Sequence, residues 1–144
     1  MGISLSSFNF PDLFVRHANF LGELSAVTSD LDREDATFHL VEGLADNRFM
    51  SFASHNLPKH VLRHENFRIA LADQTEAGGS DVFRGDATFL LTPGLADPTA
   101  VSFRSFNFPD RFLRHRDFHL FLEPIDGDLA RLDSTFRLVP GFAG

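Results

Sequence analysis

Ser102-Phe-Arg-Ser-Phe-Asn-Phe-Pro109 is the third appearance of one phrase. Ser4-Leu-Ser-Ser-Phe-Asn-Phe-Pro11 and Ser51-Phe-Ala-Ser-His-Asn-Leu-Pro58 precede it, at intervals of 47 and then 51 residues. The similarity continues outward from each copy. Arg16-His17, Arg63-His64 and Arg114-His115 come next, then Asn19-Phe20, Asn66-Phe67 and Asp117-Phe118. Each copy closes on Asp35-Ala-Thr-Phe38, Asp86-Ala-Thr-Phe89 or Asp133-Ser-Thr-Phe136, followed by Gly43, Gly94 or Gly141. Self-similarity at a fixed period means that one supersecondary unit is built three times. The boundaries read as 4–50, 51–101 and 102–144 within a single domain spanning 1–144.

A period near 47 occurs in helical arrays and in propellers, so the local pattern must choose between them. Helical periodicity is absent. Short alternating runs rich in Phe, Val and Leu are separated by turn-forming Asn-x-Pro, Asp-Gly and Gly-Gly pairs, which predicts about four strands per copy. About twelve short strands in three copies fit an all-β, β-trefoil chain with pseudo-threefold symmetry. A three-bladed propeller is too narrow, and helical arrays lack their helices. Symmetry brings equivalent large side chains together, so Phe20, Phe67, Phe118, Phe38, Phe89 and Phe136, with Leu40, Leu91 and Leu138, are the expected core.

Composition narrows the function. The 144 residues carry 13 basic and 20 acidic side chains, a net charge of −7, and Lys59 is the only lysine. Such a chain is poorly suited to tracking a phosphate backbone, so no nucleic acid partner is expected. With no cysteine there is no disulfide, thiolate metal site or cysteine nucleophile. One repeated histidine per copy gives too few ligands for zinc, and neither a metal nor another cofactor is expected. No apolar run is long enough for a membrane span, and residues 1–5 lack the basic-then-apolar pattern of a secretory leader. All 18 aromatic residues are Phe, which suggests recognition through polar groups rather than through a broad aromatic platform.

The second strand of each copy holds the candidate site. Alternation puts His17 with Asn19, His64 with Asn66, and His115 with Asp117 on one face, about 6.6 Å apart. Asp35, Asp86 and Asp133 arrive just before the fourth strand. A carboxylate, an imidazole and a carboxamide make a compact cup for vicinal hydroxyls. Each residue also has a plainer reading. The Asp could pair with Arg33, Arg84 or Arg131 two positions upstream, and the His could be structural. Asn9, Asn56 and Asn107 read as turn residues. Arg16, Arg63 and Arg114 face away from the cup and read as surface or inter-repeat ion pairs. Gly22 stands where the other copies have Ile69 and Leu120, and is expected to cost the first site a wall.

The run Ser102 to Phe118, with Asp133-Ser-Thr-Phe136 and Gly141, resembles the arabinofuranose-binding domain of α-L-arabinofuranosidases, the family 42 carbohydrate-binding modules. The likeness extends over all three copies. It implies a β-trefoil that binds terminal arabinofuranosyl side chains of arabinoxylan or arabinan, one pocket per repeat, in a secreted or extracellular setting. It implies sugar-binding roles for His17, His64, His115, Asp35, Asp86 and Asp133, with Asn19, Asn66 and Asp117 contributing. Where that family commonly carries Asn-Tyr-Pro-Gly, this chain reads Asn9-Phe-Pro-Asp12, Asn56-Leu-Pro-Lys59 and Asn107-Phe-Pro-Asp110, so no tyrosine hydroxyl is available.

The leading expectation is therefore a non-catalytic, monomeric module whose partner is an arabinofuranose-containing polysaccharide or oligosaccharide, with neither membrane nor nucleic acid involved. A free-standing lectin for another sugar and a protein-interaction trefoil are the alternatives. Glycoside hydrolysis needs two carboxylates across one bond, and only Asp117 with Asp133 offers such a pair.

Overall fold

The computed structural model describes residues 2–75 and 79–143. The first copy forms β1 (Ile3–Ser7), β2 (Phe14–Ala18), β3 (Leu21–Ser25), α1 (Asp30–Asp35) and β4 (Phe38–Glu42). The second forms β5 (Met50–Ser54), β6 (His60–Glu65), β7 (Arg68–Asp73), α2 (Asp81–Asp86) and β8 (Phe89–Pro93). The third forms β9 (Val101–Ser105), β10 (Arg111–Arg116), β11 (His119–Pro124), α3 (Asp128–Asp133) and β12 (Phe136–Pro140). The sequence pattern predicts the strands but not the helices. Each helix has six residues, under two turns, which is too short to show a helical repeat of apolar positions. Ser29 and Ser80 cap α1 and α2 through their side chains.

Among the described residues all pairings are antiparallel, and they recur in each copy. β2–β3, β6–β7 and β10–β11 are hairpins, while β1–β12, β4–β5 and β8–β9 join the copies. The twelve strands form one sheet that closes on itself as a barrel through further pairings such as β9–β10 and β7–β11. Phe38, Phe89 and Phe136 are fully buried in it, each contributing roughly 2–3 kcal/mol. Phe52 and Phe103 add rings 4.9 Å apart, and Leu5 holds their position in the first copy.

Two expected core triplets lie elsewhere. Phe20 and Phe118 are more than half exposed and Phe67 is partly buried. Asn19-Phe20, Asn66-Phe67 and Asp117-Phe118 are the two-residue tips of the hairpins, with φ between 52° and 65° at all six positions. Two successive positive φ values are the geometry of a type I′ turn, which favours Asn or Asp first and throws the following side chain outward. The strain at Phe is offset by a cyclic latch. The carbonyls of Phe20, Phe67 and Phe118 accept from the Leu71, Leu122 and Leu24 amides of the next hairpins at 2.8, 2.8 and 2.9 Å. Leu40, Leu91 and Leu138 are also exposed. Each stands two residues past the buried Phe that opens β4, β8 or β12, where the strand has already turned toward solvent.

The three hairpins meet at a centre, through Leu21↔Ala70, Arg68↔Phe121 and His119↔Glu23. Gly22 belongs to this centre and not to a pocket wall, contrary to expectation. A Cβ there would lie 2.9 Å from Ile69 Cγ2 and 3.1 Å from Leu120 Cδ1, so its two counterparts already fill the space. Arg68 closes the centre, its Nη1 donating to the carbonyls of Gly22, Ile69 and Leu120 at 2.6, 3.2 and 2.9 Å.

Candidate functional site

The second strand and the helix of each copy place an Arg-His pair beside an Asp, and the Asp is the last residue of the helix. In the second copy Arg63 Nη2 lies 3.3 Å from Asp86 Oδ2, while Arg63 Nε donates to the His64 carbonyl at 3.0 Å. His64 Nε2 lies 2.9 Å from Asn107 Oδ1, and Asn107 Nδ2 donates to Asp86 Oδ1 at 2.8 Å. Ser105 Oγ donates to the same Asn107 oxygen at 3.1 Å and accepts from the Phe108 amide. Asp86, His64 and Arg63 are all less than a tenth exposed.

The other clusters repeat this wiring. His17 meets Asn56 at 2.8 Å and Asn56 reaches Asp35 at 2.8 Å, with Ser54 alongside. His115 meets Asn9 at 2.9 Å and Asn9 reaches Asp133 at 2.9 Å, with Ser7 alongside. Each cluster thus takes His, Arg and Asp from one copy and Ser and Asn from the next. The third is completed by the first.

These contacts revise four readings. Asn9, Asn56 and Asn107 sit in turns, yet their side chains bridge the imidazole and carboxylate of the preceding copy. Arg16, Arg63 and Arg114 are largely buried and bind Asp35, Asp86 and Asp133 within their own copy. Arg33, Arg84 and Arg131 instead pair with Asp30, Asp81 and Asp128 on exposed helix surfaces. Asn19, Asn66 and Asp117, at the hairpin tips, make no hydrogen bond to these clusters among the described residues, although Asn66 and Asp117 line the clefts above them. The Ser and Asn of Ser-x-Asn-x-Pro are the site residues that sequence reading missed. Their signal was identity in all three copies, stronger than a turn alone requires.

Each Asn amide nitrogen is committed to a carboxylate, so the amide oxygen faces the imidazole and pairs with its Nε2. Burial holds the His115 imidazole below its ordinary range, the nearby Arg114 charge adds to this, and Asp133 opposes it. The arginines are secured differently. Arg16 also binds Asp32 at 2.7 Å, Arg63 lies 5.0 Å over the Phe83 ring, and Arg114 has Glu123 at 3.6 Å.

A cleft of about 720 Å³ opens over the second cluster, and one of about 310 Å³ over the third. Their rims are aromatic, which the polar cup expected from composition does not include. Phe67 stacks beside His64 at 6.1 Å, and Phe108 meets Phe67 edge-on at 5.2 Å. Phe10 and Phe118 form the same pair at 5.8 Å over the third cluster. Among the described residues no group of three or more His, Asp or Glu is arranged to hold a metal ion.

A closed, twelve-stranded β-trefoil-like barrel carrying three copies of one polar cluster has solved counterparts. One titled BEL β-trefoil covers 96% of this chain at a TM-score of 0.71 and 13% identity, matching 92% of its own length, and it shows the fold alone. An α-L-arabinofuranosidase of glycoside hydrolase family 54, soaked with a cyclic sulfate inhibitor, covers 99% at 0.88 and 25% identity, matching 31% of its own length. Residues 3–138 match the model of the alpha-L-arabinofuranosidase B (ABFB) domain, and the chain belongs to that family. It is 34% identical over 92 residues to a probable alpha-L-arabinofuranosidase B of Aspergillus clavatus, covering 64% of this chain and 17% of that protein. It is 32% identical over 103 residues to an arabinofuranosidase/B-xylosidase of Trichoderma koningii, covering 72% and 20%. The chain therefore spans about a fifth of the length of the curated relatives it matches.

Proposed function

We propose that residues 1–144 form a single pseudo-threefold β-trefoil that binds terminal α-L-arabinofuranosyl side chains of arabinoxylan or arabinan without cleaving them, one sugar per repeat. The observation that carries this reading is the cluster of His, Asp and Asn, built three times and open to a cleft in the second and third copies, in a chain of the arabinofuranosidase B domain family. Asp86 and Asp133 retain lone pairs for vicinal hydroxyls, Asn107 and Asn9 each retain an amide hydrogen, and His64 and His115 offer Nδ1. Asn66 and Asp117 reach the sugar from the hairpin tips, and His17, Asn19 and Asp35 do the same work in the first copy.

The carboxylates favour binding over hydrolysis. Both oxygens of Asp133 are engaged, by Arg114 and Asn9, whereas the other carboxylate of that cup, Asp117, is 85% exposed at a turn tip. A carboxylate whose two oxygens already accept from a guanidinium and an amide suits a hydroxyl acceptor and not a proton donor. Single-sugar sites of this size bind near the millimolar end of the scale, and three on one rigid body raise retention on a branched polymer by avidity. An extracellular setting accompanies this reading.

Affinity electrophoresis through arabinoxylan, with arabinose as competitor, tests it. Wild type should be retarded and released by arabinose, and an Asp86→Ala, Asp133→Ala double variant should lose most of its retardation. Undiminished retardation in the double variant would sink the site assignment, and arabinose released from the polymer by the pure chain would sink the non-catalytic reading.

A further inference from the structure

Among the described residues, the three most exposed large apolar side chains occupy one position of the fold. Leu31, Val82 and Leu129, the second residues of α1, α2 and α3, are 62%, 72% and 65% exposed. They add nothing to the core, and in two copies they line the cleft above the polar cluster: Val82 in the second, Leu129 in the third. Each of these clefts thus has a polar floor, an aromatic pair on its rim and an aliphatic side chain at the helix.

The second cleft is larger than the third, and one position beside its cluster differs between the copies. Gly85 lies on its lining, where the other copies carry Glu34 and Leu132. A Cβ at Gly85 would come 3.2 Å from Asn107 Nδ2, so any side chain there would crowd the space beside the cluster. A cleft of about 720 Å³ falls within the ~300–1,000 Å³ range of drug-sized ligands and exceeds the needs of one furanose ring. Its surplus wall consists of Val82, Phe67 and Phe108. The Arg111 guanidinium lies 3.6 Å from the Phe67 ring centroid, a cation–π contact that helps hold the ring in place.

Hydroxyl acceptors at one end and a rigid apolar wall at the other define an amphiphilic ligand. We propose that the second cleft takes a pentofuranosyl unit esterified by a planar aromatic acid. The sugar hydroxyls lie on Asp86, Asn107 and His64, and the acyl ring lies against Val82 and the Phe67–Phe108 pair. This rests on the sugar-binding reading above and extends it to the substituent on the sugar. A neutral ester fits the site, since Asp81 and Glu65 on the same lining would repel a free carboxylate.

The test compares methyl α-L-arabinofuranoside with its cinnamoyl ester at the primary hydroxyl, by calorimetry and by NMR of the Val82 methyl groups. The ester should bind wild type about tenfold more tightly and shift the Val82 methyls. Val82→Ser, at an exposed position, should keep the fold and the affinity for the unsubstituted glycoside while removing the preference. Gly85→Leu, which installs a larger side chain as in the third copy, should reduce the preference as well. Equal affinity of the two ligands for wild type, or a preference that survives Val82→Ser, overturns the inference and leaves sugar binding standing. Failure of both ligands to bind overturns the sugar reading along with it.

Discussion

The rim of this molecule and its centre treat the threefold repeat in opposite ways. At the rim, His, Arg, Asp, Asn and Ser recur in every copy with hydrogen bonds that agree to about 0.1 Å between His and Asn. At the centre, the equivalent positions hold Gly22, Ile69 and Leu120, and beside them Leu21, Arg68 and His119. The clusters are far enough apart to be copied without meeting. The central positions share one small volume, so a residue that fills it once excludes itself from the other two copies. One guanidinium satisfies three carbonyls, and two further arginines would have neither acceptors nor room.

The largest expected effect comes from imposing the rim's uniformity on the centre. Gly22→Leu places a side chain where Ile69 and Leu120 already pack, and should cost about 3 kcal/mol or prevent folding. Urea unfolding measures it, and a loss below about 0.5 kcal/mol would mean that the three hairpins do not close as tightly as described. Arg68→Leu leaves three carbonyls without their donor. Because the Arg68 side chain is about a fifth exposed, water replaces part of the loss, and about 2 kcal/mol is expected.

Breaking one rim cluster should be milder and local. Asp86→Asn removes the carboxylate that Arg63 and Asn107 share, at about 1.5 kcal/mol, and should abolish arabinose-induced NMR shifts around His64 alone. Loss of signals at all three clusters would show that they are not independent.

The smallest effect is in pH. The His115 imidazole is held below its ordinary range by burial, so between that lowered value and about 6.5 the unfolded chain binds a proton that the folded chain does not. Stability therefore falls as pH drops through this window and levels off below it. The His115→Gln variant should show a shallower slope across it in thermal melts, and an unchanged slope would assign the effect elsewhere.

Much of this was legible in the sequence because repetition multiplies weak signals. The strands follow from alternation, and the burial of Phe38, Phe89 and Phe136 follows from their place at the start of the fourth strand. Phe20, Phe67 and Phe118 lie outside the core that alternation predicts because alternation carries no information about φ, and a tight turn with positive φ reverses which way a side chain faces. Asn56 escaped because local turn chemistry already explained it, while its partners His17 and Asp35 lie 39 and 21 residues away. The tightness at Gly22 depends on side chains from two other copies, and no local pattern encodes that.

The borrowing of Ser and Asn from the next copy means that a site belongs to a junction and not to a repeat. A single copy excised from the chain would own the halves of two sites and the whole of none. The order in which the copies are strung together matters little to a ring of junctions, and Ile3 of β1 already pairs with Pro140 of β12. A circular permutant joined across that pairing and opened between β4 and β5 would begin in the second copy and end in the first, with all three junctions intact.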